Sequence, residues 1–327
     1  MRNNGWEFNI NGNRFIKAGK FSMDMNITFA NNRNEILEME EPVRDQYNDE
    51  FNYKNGQYLC RIQLHNPLGS IYGFRYLGTY QYSEYSPEEI KGVSGPDAPV
   101  ARNEQGDVIL NSAGNPKEMY FDYDNTRYKF VGGDAKYEDI NHDGQINELD
   151  IVYLGSSLPK LTGGFGFRFN YGQWSLNAQF NYRFGNKIIN SARMGMEQMD
   201  NNNNQSRSIN WRWHNEGDVT EMPRAANTSA SGANFNVYNY LGSDRFVEDA
   251  SFLRLNYLQM SYNFKPQTVK KLGLSSLRFD LTLNRLFTIT KYSGYSPEVN
   301  AGTYSPAQDG AKTPPNKSFT FSLMVGF

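Results

Sequence analysis

Hydrophobic and polar residues alternate with a period of two in several segments of this chain. In Trp174–Phe184 every second residue from Trp174 onward is apolar, and the residues between them are polar. Phe21–Phe29 and Phe319–Phe327 follow the same pattern. A period of two directs alternate side chains to opposite faces of a sheet. We therefore expect these segments to be strands with one apolar and one polar face.

Seven segments alternate clearly, and an eighth, Ser70–Tyr82, alternates weakly because glycines interrupt it. Near residues 251–264 the apolar positions change from odd to even numbers after Tyr257, and such a change of phase predicts a β-bulge. Residues 83–138 are rich in Pro, Gly, Asn and Asp, and we expect them to be irregular. The seven clear segments lie near residues 5–13, 21–30, 163–171, 174–184, 251–264, 277–284 and 319–327.

The connections between the expected strands fall into two classes by length. The short ones lie near residues 16–19, 172–173 and 266–275, and the long ones near residues 31–160, 185–247 and 288–316. Short turns at one end and long loops at the other are typical of outer-membrane β-barrels, whose long loops are extracellular. This arrangement requires an even number of membrane spans between residues 31 and 160. Ser70–Tyr82 therefore lies outside the membrane or pairs with a further strand, for which Tyr128–Phe130 is a weak candidate.

The number of strands indicates a part of something larger. Closing a barrel needs about eight strands or more, and open strand edges are not tolerated in lipid. We expect an all-β fold in which residues 1–327 form the C-terminal part of a large antiparallel transmembrane β-barrel with long extracellular loops, an internal Met1 and a periplasmic C-terminus. A soluble sandwich or jelly roll alternates in the same way and is the alternative. Loop lengths, strand lengths and the terminal Phe327 favour the barrel.

Composition removes several other classes of protein. The apolar fraction of 38% and the mean hydropathy of -0.71 exclude a helical membrane protein, which needs apolar runs of about 20 residues. The net charge of -2 gives the chain no electrostatic field for nucleic acid. The single cysteine cannot form an internal disulfide. No nucleophile, zinc or phosphate-binding motif stands out, so we do not expect an enzyme.

One segment, Asp139–Asp150, matches the calcium-loop pattern D-x-[DN]-x-[DN]-G. It lies in residues 131–160, which we expect to be an extracellular loop. Gly144 permits the sharp turn, and Asp150 stands at position twelve, where EF-hand loops have glutamate. A metal-free turn held by its own Asx side chains is the alternative. The expected oxygen ligands of a structural Ca²⁺ are Asp139, Asn141, Asp143, Gln145 through its backbone carbonyl, Asn147 through water, and Asp150.

Aromatic residues outside the clear strands are candidates for contact with a ligand or a partner. Trp211 and Trp213 lie in one long connection, and Tyr72 and Tyr76 lie in the Ser70–Tyr82 segment. Their rings can stack on sugars or on a partner protein. Packing within the loops, or an aromatic girdle at the membrane interface, is the alternative reading of the same residues.

Several segments, taken in order, resemble the C-terminal part of the SusC/RagA family of TonB-linked outer-membrane transporters. The resemblance extends over nearly the whole chain and ends at the terminal aromatic residue. Each segment is a weak signal alone, and their order makes the set specific. The segments are Arg2–Phe8 (RNNGWEF), Gly69–Tyr76 (GSIYGFRY), Tyr137–Ile146 (YEDINHDGQI), Leu154–Lys160 (LGSSLPK), Arg212–Trp213, Pro223–Arg224, Val247–Leu255 (VEDASFLRL), Tyr292–Glu298 (YSGYSPE) and Lys317–Phe321 (KSFTF).

This resemblance implies TonB-energised import of a large nutrient through the outer membrane, an oligosaccharide more than a peptide, with a SusD-like surface lipoprotein as a lid. It implies that TonB acts through an N-terminal part, because the sequence contains no recognisable signal peptide, TonB box or plug. It also implies that the barrel-assembly machinery recognises Phe327 and that the apolar face of the strands contacts outer-membrane lipid. A passive porin-like barrel and a soluble calcium-stabilised β binding module remain the alternatives.

Overall fold

The structure is a computed structural model that describes residues 1–42, 63–82, 99–123, 126–199, 204–226, 235–302, 305–311, 313 and 315–327. Within this part of the chain, no helix combines the length and the apolar character that crossing a membrane requires. The helices are α1 (Ser191–Glu197), α2 (Pro266–Lys271) and the 3-10 turns Glu148–Asp150, Arg207–Trp211, Phe235–Tyr240 and Asp244–Phe246. The strands are β1 (Arg2–Ala18), β2 (Phe21–Glu35), β3 (Ser70–Gly73), β4 (Tyr76–Thr79), β5 (Tyr120–Tyr123), β6 (Thr126–Lys129), β7 (Ala135–Tyr137), β8 (Gln145–Ile146), β9 (Val152–Ser156), β10 (Leu161–Tyr171), β11 (Trp174–Phe184), β12 (Lys187–Ile189), β13 (Val247–Asp249), β14 (Phe252–Asn263), β15 (Ser276–Asn284), β16 (Thr288–Thr290) and β17 (Ser318–Gly326).

The seven longest strands form one antiparallel sheet, which we refer to as the wall. Its order is β1-β2-β10-β11-β14-β15-β17, and β16 pairs with one end of β14. These seven strands are the seven segments that alternate clearly in the sequence, so the predicted strands are confirmed. β1 and β2 run beyond their alternating segments, because their backbones continue to pair across polar residues such as Asn3 with Asn34.

The register of the wall places like residues in rows. One row runs through six strands as Met23, Phe169, Leu176, Met260, Leu281 and Phe321. The neighbouring row runs as Ser22, Asn170, Ser175, Ser261, Asp280 and Ser322. Because successive residues of a strand point to opposite faces, one face of the wall is apolar and the other is polar. Many apolar side chains on the first face are exposed, including Phe321 at 62%, which is the pattern of a surface that lipid covers.

A β-bulge keeps the apolar face continuous across β11 and β14. Gln179 faces Tyr257, while the next residue, Phe180, faces Leu255, so Asn256 is left unpaired in the ladder. The extra residue restores the phase, and Leu255 and Leu258 therefore both align with apolar residues of β11. The predicted bulge is confirmed.

The connections alternate in length from one end of the wall to the other. Residues 19–20, 172–173 and 264–275 connect strands at one end. The other end carries the first connection (residues 36–160), the second connection (residues 185–251) and the third connection (residues 285–317). This is the predicted division into short turns and long loops, and β17 finishes at the short-turn end, opposite Ser276.

The first connection adds no strand to the wall within its described residues, because β2 pairs directly with β10. The predicted strand Ser70–Tyr82 is wrong as a single element: β3 pairs with β9, and β4 pairs with β7. Tyr128 lies in β6, which pairs with β5, so the weak candidate for a missed wall strand is also wrong. Residues 83–138 are not wholly irregular, since their described part contains β5, β6 and β7.

The two hydrophobic clusters of the described residues lie in the connections, although Tyr182, Phe252 and Leu255 of the wall are also buried. The larger cluster belongs to the first connection, with Leu241 added by the second; it includes Phe74, Tyr80, Met119, Phe130, Tyr137 and Ile146. A smaller cluster joins Ile188 and Ala250 of the second connection to Tyr292, Val299 and Ala307 of the third. One face of the wall is apolar and the other is polar, and neither hydrophobic cluster contains a residue of its seven long strands. The long connections therefore fold on hydrophobic cores of their own.

Candidate functional site

The polar face of the wall is rich in groups that donate and accept hydrogen bonds. On β11 this face consists of Ser175, Asn177, Gln179, Asn181 and Arg183. Asn177 Nδ2 donates to the hydroxyl of Tyr257 at 3.2 Å, and Arg183 Nη1 donates to Asn300 Oδ1 at 3.2 Å. Amide and hydroxyl groups thus cover much of the surface that a barrel would turn towards its interior.

Several charges on this face are neutralised within the chain. Arg278 Nε donates to Asp280 Oδ1 at 2.8 Å, and its Nη2 donates to Ser261 Oγ at 3.0 Å. Arg254 forms an ion pair with Glu298 of the third connection. These pairings reduce the net field that the described face presents to a ligand.

The predicted calcium loop folds as a tight, self-bonded turn. Asp139 accepts backbone N–H groups from Asp143 at 3.1 Å and from Gly144 at 2.7 Å. Asn141 Oδ1 also accepts the Asp143 N–H at 3.1 Å. Gly144 has a φ of 77°, and an added Cβ there would lie 2.8 Å from the Cβ of Ala101, so the predicted need for glycine at the turn agrees with the geometry.

The second half of the motif is held by a capping box. Asn147 Oδ1 accepts the Leu149 N–H at 2.8 Å, while Asp150 Oδ2 accepts the Asn147 N–H at 2.9 Å. Asp150 Oδ1 accepts the Ile140 N–H at 2.8 Å, which ties the end of the motif to its beginning. Burial raises the pKa of Asp139 above its ordinary value and raises the pKa of Asp150 to about 6.

The carboxylates of this loop do not form a ready metal-binding cluster. Among the described residues, no group of three or more His, Cys, Asp or Glu side chains is positioned to hold a metal ion. The backbone N–H groups use one lone pair of each bonded oxygen and leave others available. Binding of Ca²⁺ by Asp139, Asn141, Asp143, Gln145, Asn147 and Asp150 stays a prediction, and the Asx turn accounts for the fold of the loop without it.

The aromatic candidates occupy different environments. Trp211 is 64% exposed, whereas Trp213 is 6% exposed and packs edge-on against Tyr82. Tyr72 is buried against Tyr153. The Tyr76 hydroxyl donates to the Glu221 carbonyl at 2.8 Å. The connections therefore use three of these side chains for packing: Tyr72, Tyr76 and Trp213. Of the four candidates, only Trp211 exposes most of its surface.

Phe327, at the short-turn end of the wall, is 96% exposed. Its recognition by the barrel-assembly machinery stays a prediction.

A buried polar junction joins the first and second connections, and no motif in the sequence predicts it. Asp134, which is fully buried, accepts hydrogen bonds from Tyr128 Oη at 2.7 Å and Val131 N at 2.9 Å. Arg224 Nε donates to it at 2.7 Å from the second connection. Asp134 and Arg224 are 90 positions apart in the sequence, so no local pattern identifies this pair.

Taken together, the fold defines a class of protein. Seven antiparallel strands with a continuous apolar face, joined alternately by short turns and long folded connections, form part of a large transmembrane β-barrel. No protein-family model matches the chain. TonB-dependent receptor P39 of Formosa agariphila is 30% identical over 341 residues, which cover 100% of this chain and 30% of the relative. TonB-dependent receptor P26 of the same organism is 25% identical over 335 residues, covering 100% of this chain and 29% of the relative.

Solved structures agree on the fold. A chain in the structure of the RagAB peptide transporter superimposes with a TM-score of 0.68 at 18% identity, over 99% of this chain and 29% of that chain. The same importer in its closed-closed state gives a TM-score of 0.67. The chain belongs to the TonB-dependent receptors, and its resemblance to the SusC/RagA type is confirmed. It spans about 30% of the length of the curated relatives named above.

Proposed function

We propose that this chain is part of the barrel wall and the outer loops of a receptor that imports a large nutrient across the outer membrane with energy supplied through TonB. The observation that carries the proposal is the unbroken apolar row across the wall, together with similarity to TonB-dependent receptors over the whole chain. A soluble β module would expose this row to water, at a cost of roughly 25 cal/mol for each Å² of apolar surface.

In this proposal the three long connections are extracellular and the short turns are periplasmic. Outer-membrane barrels place their short turns on the periplasmic side. The C-terminus then lies in the periplasm, where the barrel-assembly machinery would recognise Phe327. The apolar face contacts outer-membrane lipid, and the polar face lines the interior of the barrel.

An oligosaccharide is the substrate class that the polar face supports best. Its described side chains are mainly amides and hydroxyls, such as Asn177 and Gln179, and several of its charges are paired within the chain. Such a surface suits a neutral ligand with many hydroxyl groups better than one that needs fixed counter-ions. The RagAB structures are named for a peptide importer, so a peptide is the competing substrate class. We propose no enzymatic activity and no nucleic-acid partner.

The proposed partners follow from the same assignment. A SusD-like surface lipoprotein would cover the extracellular end, where the long connections form a folded platform. TonB would act through a part of the receptor outside these residues. Ca²⁺ in the Asp139–Asp150 loop would add stability to that platform, as calcium does in other extracellular modules.

The experiment is a transport assay on the native receptor that carries this chain. A strain lacking the receptor gene is complemented with the wild-type gene, and uptake of oligosaccharides and of peptides of matched mass is measured with and without a protonophore. Uptake of an oligosaccharide that needs both the receptor and the proton-motive force supports the proposal. Uptake that persists with the protonophore indicates the porin-like alternative, and peptide uptake alone overturns the substrate class. Recovery of the receptor in the soluble fraction would favour the β-module alternative.

A further inference from the structure

The third connection folds back across the polar face of the wall. The segment that does so is residues 296–302, which we refer to as the strap. Glu298 of the strap forms an ion pair with Arg254 of β14 and accepts a hydrogen bond from Asn181 Nδ2 of β11 at 3.5 Å. Asn181 and Arg254 lie directly opposite each other in the sheet, near its long-loop end. One side chain of the strap therefore contacts two strands of the wall.

The side chains of the strap alternate between the wall and a hydrophobic cluster. Asn300, like Glu298, contacts the wall, because its Oδ1 accepts from Arg183 Nη1 of β11 at 3.2 Å. Val299, between these two residues, is buried in the smaller hydrophobic cluster, which the second and third connections share. The strap is thus polar on the side that meets the wall and apolar on the side that meets the cluster.

Burial on the polar face marks the area that the strap covers. One layer of sheet leaves its polar side chains accessible, yet Arg254 is 3% exposed and Asn181 Oδ1 is shielded from solvent. Arg254 Nε also donates to Thr288 Oγ1 of β16 at 3.0 Å, but Glu298 supplies the negative charge of the site. Removing one partner of a buried ion pair leaves a costly unpaired charge. The carboxylate of Glu298 therefore fixes the position of the strap on the wall.

The chain on both sides of the strap is anchored to other connections. Before the strap, the Ser293 backbone N–H donates to Glu248 Oε2 of the second connection at 2.8 Å. After it, the Ala307 backbone N–H donates to Ser157 Oγ of the first connection at 2.8 Å. These two anchors hold the intervening segment across the long-loop end of the polar face.

Space for movement lies beside the strap. A cavity of about 310 Å³ is bordered by Ser296, Glu298 and Val299 of the strap and by Arg285, which follows β15. A strap that loses its contact with the wall therefore has room to shift between its anchors.

From this arrangement we infer that the strap is a constriction at the mouth of the barrel and that Glu298 is the positioning residue that holds it there. The inference rests on the proposed transport function, in which the polar face lines the interior and the long connections are extracellular. A molecule that enters along this wall passes the strap before it reaches Gln179 and Asn177, which lie further along β11. The strap thus limits the cross-section of what enters, whatever the chemical class of the molecule.

The test measures how freely probes of two sizes reach the wall beyond the strap. Gln179→Cys places a reporter thiol at the next polar-face position of β11 after Asn181, on the side of the short turns. The native receptor, with no other cysteine, is purified in detergent and labelled with N-ethylmaleimide or with a maleimide on a long polyethylene glycol chain. The ratio of the large-probe rate to the small-probe rate reports the constriction, because differences in thiol reactivity cancel.

Glu298→Ala is the test variant, and Glu138→Ala is its matched control. Glu138 also pairs with an arginine of a long connection, since its Oε2 accepts from Arg75 Nη1 at 2.9 Å within the first connection. Asn300 is exposed, so Asn300→Ala removes the second wall contact without opening a buried site. This variant decides the question if Glu298→Ala assembles poorly. Heat-modifiable mobility establishes the fold of each variant before labelling.

The rate ratio should rise roughly ten-fold or more in Glu298→Ala, because breaking a buried ion pair removes the main contact that holds the strap on the wall. It should rise by a smaller factor in Asn300→Ala and stay at the wild-type value in Glu138→Ala. Unchanged ratios in both strap variants overturn the constriction, and so does an equal rise in Glu138→Ala. Labelling needs no substrate, so either of these results leaves the transport proposal intact, and failure of transport is measured by the uptake assay alone.

Discussion

Arg224 Nε lies 2.7 Å from the buried Oδ1 of Asp134, and this contact joins two long connections that leave the wall at different strands. The Tyr128 hydroxyl donates to the other oxygen of this carboxylate, Asp134 Oδ2, at 2.7 Å. The Asn239 side chain donates to Oδ1 from the second connection at 3.4 Å. One buried carboxylate therefore accepts hydrogen bonds from both connections and links them.

Substitution of Asp134 should loosen both connections. In Asp134→Ala, Arg224 loses its counter-ion and keeps only the hydrogen bond from its Nη2 to the Tyr128 hydroxyl at 3.4 Å. Leaving this partly buried charge uncompensated costs about 3 kcal/mol. Hydrogen exchange measured by mass spectrometry on the native receptor should become faster in residues 128–137 and 235–241. The control is Asp122→Ala. The ion pair of Asp122 with Arg127 spans 3.6 Å between side chains that are 36% and 60% exposed, and it should contribute less than about 1 kcal/mol. Equal changes in the two variants would contradict this role for Asp134.

Gly133 should be intolerant of any side chain. It has a φ of 84°, and an added Cβ would overlap the ring of Trp213. Gly133→Ala therefore combines backbone strain of about 1–2 kcal/mol with displacement of a buried indole.

Gly106→Ala is the control that separates backbone strain from displacement of the Trp213 indole. Gly106 has a similar φ of 88°, and nothing lies within 4 Å of its added Cβ. Hydrogen exchange around residues 211–224 should increase in Gly133→Ala and stay at the wild-type level in Gly106→Ala. An unchanged exchange pattern in Gly133→Ala would show that Trp213 moves without cost.

The two faces of β15 should respond differently to a positive charge. Leu281 lies in the apolar row between Met260 and Phe321, whereas Thr282 lies in the polar row between Gln259 and Thr320. Arginine on the lipid face near the centre of a barrel strand costs about 2–4 kcal/mol. Leu281→Arg should therefore reduce heat-modifiable folded receptor in the outer membrane, and Thr282→Arg should leave it close to wild type. If Thr282→Arg were the more damaging substitution, the assignment of faces would be reversed.

The Asp139–Asp150 loop should bind calcium weakly if the motif acts as its sequence predicts. Dissociation constants of extracellular calcium modules are about 0.1–1 mM. Terbium luminescence sensitised by nearby tyrosines, displaced by Ca²⁺, should report the site in the native receptor and disappear in Asp139→Asn.

The matched control for the calcium test is Asp107→Asn. Asp107 is an exposed residue in another turn of the first connection. Its backbone N–H donates to Asn103 Oδ1 at 2.8 Å. Its substitution should leave the terbium signal unchanged. A loop whose stability and luminescence do not respond to Ca²⁺ would be the self-bonded Asx turn alone.

The sequence by itself determined the wall. Alternation identified its seven strands, the change of phase after Tyr257 located the bulge, and the lengths of the connections separated the two ends. These features are local, because a period of two fixes the face of each side chain without reference to the rest of the chain. The need for glycine at position 144 followed in the same way from the pattern of one short segment.

Tertiary structure decided everything that depends on distant partners. Alternation could not show that Ser70–Tyr82 divides between β9 and β7, since short strands pair wherever a neighbouring backbone is available. Exposure separated Trp211 from Trp213, although the two residues are alike in the sequence. The Asp134–Arg224 contact exists only because the first and second connections pack on one another. Burial and ion pairing depend on which residues lie close together in space. The periodicity of the sequence does not show which distant residues will be neighbours.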